Sequence, residues 1–164
     1  MLKNVTRIIL LSLLLSAGIV SAQERPACTM MKGLDLKPLL GADHDAPVKF
    51  GDNSCRAESN SPGRLIVLAV EEGKAAEIKS NLASMKKMMI QHRAKEAVIA
   101  AEPSLGPDAF SVRERAGTRG IEVYALKGSR FINIQASWPF KQPLDDASAK
   151  QLVALLKIVQ DKLP

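Results

Sequence analysis

The chain has 164 residues, 46% hydrophobic and 24% charged, with a formal net charge of +6. That apolar content excludes a disordered polymer, and two cysteines are too few for a disulfide-dense miniprotein. The length suits one ordinary domain with enough chain to bury a core.

The first segment reads as an export signal. Lys3 and Arg7 make a positive start, Ile8 to Leu15 an apolar run, and Val20-Ser21-Ala22 a small-x-small cleavage site. The run breaks well short of the about 20 apolar residues that a spanning helix needs. Residues 1–22 are therefore expected to be a signal peptide cut near Ala22, and residues 23–164 a single domain, periplasmic or secreted. No later segment is apolar enough to span a bilayer. The first cysteine follows Arg25-Pro26-Ala27, which is not a lipid-attachment context. Removing Lys3 and Arg7 leaves a net charge of +4. That mild excess in an exported chain argues against nucleic acid, and for an envelope protein, an anionic lipid or a small ligand as partner.

Cys28 and Cys55 are the only cysteines. In an oxidising compartment a lone pair is most simply a disulfide, and the spacing is far from C-x-x-C. After Cys28, residues 29–41 read as a short helix or two turns ending at Gly41, with Pro38 unable to sit in a helix interior. Residues 42–54 read as loop. Residues 55–59 and 64–72, with Asn60-Ser61-Pro62-Gly63 between them, suggest a hairpin.

The period then changes. Across 74–96 the apolar positions Ile78, Leu82, Met85 and Met89 step by four, three and four, one face of a helix. Lys79, Lys86, Lys87, Arg93 and Lys95 lie mostly away from that face. Ala97 to Pro103 reads as a stretch of extended chain. Residues 109–115, 120–128 and 130–138 read as three strands joined by tight turns, an antiparallel meander. Asp145 or Asp146 caps a last helix whose stripe is Leu152, Leu155, Leu156, Val159 and Leu163. The expected fold is α+β: an antiparallel sheet of about five strands with amphipathic helices packed on it, in the order α-β-β-α-β-β-β-α.

Several short motifs run through this frame: Cys28 before a short helix ending in Leu40-Gly41, Cys55 at the first strand, and Leu105-Gly106 with Ala109-Phe110 before the last strands. In these the mature chain resembles small exported bacterial proteins of the domain-of-unknown-function 3558 group. It departs from that group in lacking a lipid-attachment cysteine and the aromatic that often follows the second cysteine. The resemblance implies an extracytoplasmic binding or accessory module and brings no catalytic residues.

The stretch Pro103-Ser104-Leu105-Gly106-Pro107-Asp108 turns the chain from helix to strand, and its backbone chemistry alone accounts for it. As a loop it is also a place where function collects. Leu105, Gly106, Pro107 and Asp108, with the basic pair Lys86 and Lys87, are thus the candidate binding residues. Two further sets have metal chemistry. Met85, Met89 and His92 share one side of a helix, and thioether with imidazole suits Cu(I); Met88, Met30 and Met31 are available to add to them. The competing account is that Met85 and Met89 simply extend the apolar stripe. His44, between Asp43 and Asp45, has the groups for a metal or an acid–base pair, though such a cluster is commonly a solvated loop. G-x-S-x-G, H-E-x-x-H and Gly-rich phosphate loops are absent from the sequence. The expectation is a non-catalytic envelope module without a cofactor, the alternative a Cu(I)-handling protein or an enzyme using a loop histidine.

Overall fold

The computed structural model describes residues 26–60, 63–115, 120–139 and 145–164. The expected cleavage site at Ala22 lies outside them. Two short helices come first, α1 (Pro26–Lys32) and α2 (Lys37–Leu40). Pro38 is tolerated because it falls in the first turn of α2, where its missing N–H has no helical partner to lose. Strands β1 (Val48–Lys49), β2 (Ser54–Glu58) and β3 (Leu65–Glu72) follow, then the long helix α3 (Ala75–Arg93). The chain continues through β4 (Ala97–Ala101), a 3-10 turn (Pro103–Leu105), β5 (Phe110–Glu114), β6 (Gly120–Lys127), β7 (Arg130–Ser137) and α4 (Asp146–Lys162).

The fold is α+β with one antiparallel sheet among the described residues, but the sheet has seven strands in the order β1-β2-β3-β7-β6-β5-β4 rather than about five. Among the described residues four α-helices flank it, and the stretch 29–41, expected as a short helix or two turns, is shared between two helices. The two unexpected strands have a physical reason in common. β1 is two exposed residues that pair with Arg56 and Cys55, too short to show an alternation. β4, Ala97-Val98-Ile99-Ala100-Ala101, is uniformly small or apolar, so it carries no period of two.

The path explains the layers. From β3, α3 carries the chain across the sheet to its far edge at β4. The meander β4-β5-β6-β7 then walks back until β7 pairs with β3 over eight registered pairs, Leu65 with Ser137 through Glu72 with Arg130. On one face, alternate residues stack in rows across the strands: Ala57, Ile66, Ala136 and Ile121 in one, Cys55, Leu68, Ile134 and Val123 in the next. α1, α2 and α4 cover these rows, with Met31, Leu39, Leu40, Leu152, Leu156 and Val159 buried. Asp145 caps α4, accepting from the Ser148 amide at 2.7 Å. Cys28 on α1 and Cys55 on β2 are joined as a disulfide, with Cα atoms 5.0 Å apart, so the bond ties the first helix to the sheet.

The opposite face is covered by α3. There Leu82 packs with Ala97, Phe110, Val112 and Tyr124, and Met85, Met89, Ile99, Leu126 and Phe131 surround them. Leu82 is the one fully buried residue of α3, so this helix is held far more lightly than α4.

Candidate functional site

The 103–110 stretch is first a connector. Its backbone closes on itself: Glu102 N–H donates to Ala109 O at 3.1 Å, and Leu105 N–H to Glu102 O at 2.9 Å. Gly106 has φ of +120°, with nothing within 4 Å of where a Cβ would sit, so glycine is needed for conformation rather than for space. Leu105 is buried, and its carbonyl accepts from Gln160 Nε2 on α4 at 2.7 Å. The same nitrogen donates to Leu126 O at 2.8 Å. One buried amide thus fixes the turn and the end of β6 to the last helix.

The outer rim of the turn has a second neighbour. Lys79, Ala83, Lys86, Lys87 and Ile90 follow the helical period along one flank of α3. Asp108 pairs with Lys79 at 3.3 Å, an exposed contact worth little by itself. Lys86 Nζ lies 5.5 Å from the centre of the Phe110 ring, a cation–π distance. Between flank and turn runs an open groove of about 420 Å³ lined by Ala83, Lys86, Lys87, Ile90, Gln91, Pro107 and Asp108. The structure therefore brings Lys86 and Lys87 together with Pro107 and Asp108, while Leu105 points inward. With Asp108 engaged by Lys79, the two remaining lysines and the Gln91 amide offer an anion charge and hydrogen-bond donors beside an exposed apolar Ile90.

Of the other sequence candidates, Met85, Met89 and His92 share α3, while Met30, Met31 and His44 lie elsewhere. Met85 and Met89 are half-buried against the Leu82 cluster, and His92 is exposed at the last turn of α3. Met30 and Met31 pack on the other side of the sheet. His44 sits by the opposite sheet edge, bridged to Ser59, with its Nδ1 2.8 Å from Gly41 O. Among the described residues no group of three or more His, Cys, Asp or Glu side chains is placed to hold a metal ion.

One polar cluster had no signal in the sequence. Arg93, at the end of α3, reaches Glu114 on β5 at 3.3 Å and Glu122 on β6 at 3.4 Å. Tyr124, 5% exposed and stacked on Phe110, donates its hydroxyl to Glu122. Burial first, then the hydrogen bond to Glu122 and its charge, push the Tyr124 pKa far above the usual phenol range, with Arg93 opposing. A pKa raised in the folded state means stability present below about pH 10 and lost above it, where only the unfolded chain releases the proton. Tyr124 is the chain's single tyrosine. In an alkaline titration, its phenolate absorbance should therefore appear together with loss of far-UV ellipticity. Phenolate signal at an ordinary phenol pH with the fold intact contradicts this assignment.

No protein-family model and no curated protein matches the chain. A crystal structure of a Bacteroides thetaiotaomicron protein is similar to 70% of this chain, at 9% identity and a TM-score of 0.43. The match covers 41% of that protein, so the chain spans less than half its length. A likeness this slight carries no role across.

Proposed function

We propose that the protein is an exported, non-catalytic binding or accessory module of the cell envelope that engages an anionic partner through the groove between α3 and the 106–108 turn. The observation that carries this reading is the convergence of Lys86, Lys87 and Gln91 with Pro107 and Asp108 on one open groove. The basic start, apolar run and small-residue site at Val20-Ser21-Ala22 support export. Exported protein should have the intact mass of a chain beginning at Gln23. In flotation at low salt it should bind vesicles containing anionic lipid and ignore neutral ones, with binding weakened as salt is raised. The double change Lys86→Glu and Lys87→Glu should lower the melting temperature by only a few degrees, through loss of the Lys86 contact with the Phe110 ring. It should also abolish the binding. Equal binding by the double variant removes the groove from the function.

A further inference from the structure

The far edge of the sheet has geometry of a different kind. Among the described residues β4 pairs only with β5. Arg115 N–H donates to Glu96 O at 2.7 Å and Glu102 N–H to Ala109 O at 3.1 Å, so Glu96 and Glu102 are both residues bonded toward the β5 side. In an antiparallel ladder that alternation is strict, so Val98 and Ala100 also bond to β5. Ala97, Ile99 and Ala101 then direct their N–H and C=O groups off the sheet. Ala97 O is taken by Arg115 Nε at 3.3 Å, and no partner is recorded for the outward groups of Ile99 and Ala101 among the described residues.

Natural edges are commonly blunted by an inward lysine, a proline or a bulge. β4 has none of these, and Val98 is 37% exposed. Beside it, on the α4 face, lies an open groove of about 350 Å³. Val98, Ala100, Ile121, Ala149 and Val153 line it together with Lys150, the Arg113–Asp146 ion pair, and Glu102, which accepts from the Ser111 hydroxyl at 2.6 Å. It exists because α4 lies over β6 and β7 and stops short of the edge.

We propose that β4 accepts an extended segment of another protein as an eighth strand, with alternate side chains of that segment filling the groove. A row of outward backbone groups gives the affinity and the adjacent groove the side-chain preference. The residues opposite Val98 and Ala100 are apolar, and the residue opposite Glu102 is lysine or arginine. Charge argues against a second copy as the occupant. Symmetric pairing about Ile99 sets Glu96 of each copy opposite Glu102 of the other, and like charges directly opposite destabilise a pair. Lys95 would fall opposite Pro103 and relieve nothing directly. Because Lys95 and Arg115 flank Glu96, the charge preference resides at the Glu102 end.

The test uses a capped peptide, Lys-Thr-Val-Thr-Val-Thr-Lys, which presents the same pattern in either chain direction. Titrated into isotope-labelled protein, it should shift the Ile99 and Ala101 amide resonances and slow their hydrogen exchange. Replacing both lysines with glutamate should weaken binding by about tenfold. In the antiparallel pairing that continues the sheet, proline at the central position removes the donor to Ile99 O and should abolish binding. Val98→Lys, at an already exposed position, should fold normally and block the edge. The proposal is overturned by perturbations centred on β1 or on the α3 groove, by unchanged β4 amides at saturating peptide, or by equal binding of the proline peptide.

Discussion

Reducing the Cys28–Cys55 bond should lower the melting temperature by roughly 10 °C. The bond closes a loop with a sequence separation of 27, which the chain-entropy account values at about 3.5 kcal/mol. The loss is compounded locally. α1 has seven residues, too few to persist alone, and it brings Ala27 and Met31 into the core at 0% exposure. Cys55→Ser should act like reduction, since Cys55 is itself fully buried. The measurement is a pair of thermal melts, with mass spectrometry after alkylation confirming two free thiols in the reduced sample. Superimposable melts would show that α1 is held by packing alone.

Leu82→Ala should cost about 2–5 kcal/mol, the range for emptying a closed core site. Its distribution should be uneven. Leu82 is the one fully buried residue of α3, so the helix loses its single deep anchor while the α4 face keeps its own core. Hydrogen exchange should therefore accelerate along α3 well before β6 and β7 respond. Met85→Ala should cost clearly less, because Met85 is half-buried and part of its site is already open to water. Denaturant melts of the two variants decide the order. A larger loss at Met85 would mean that the helix leans on its methionines rather than on Leu82.

How far the sequence foretold these features varies by element. The α4 stripe was legible because Leu152, Leu155, Leu156 and Val159 recur at helical spacing and are buried, and the meander because polar turns separate alternating runs. Gln160 was not. It sits on the buried face of α4 between Val159 and Leu163, 7% exposed, and a polar residue inside an apolar stripe was the available signal. The groove was half legible: helical spacing puts Lys86, Lys87 and Ile90 on one flank of α3. The opposite wall, Pro107 and Asp108, follows only once the β4–β5 hairpin folds the chain back beneath that helix. The Arg93, Glu114 and Glu122 cluster joins three separate elements, and no local pattern announces such a meeting.

The seam between β3 and β7 sets the order in which the molecule can assemble. β3 ends at Glu72, and its partner begins only at Arg130. As the chain enters an oxidising compartment N-terminus first, β1, β2 and β3 can pair, and the Cys28–Cys55 loop can close, with every contributing residue already present. The other side of Leu65-Ile66-Val67-Leu68-Ala69-Val70 then has no strand to meet until the whole meander has emerged. Long-range pairing of this kind is slow to form, and an uncovered apolar strand is adhesive in the interval. Nascent chains truncated after β6 should accordingly be the aggregating species, and those extended past Ser137 should be the first that can close the sheet.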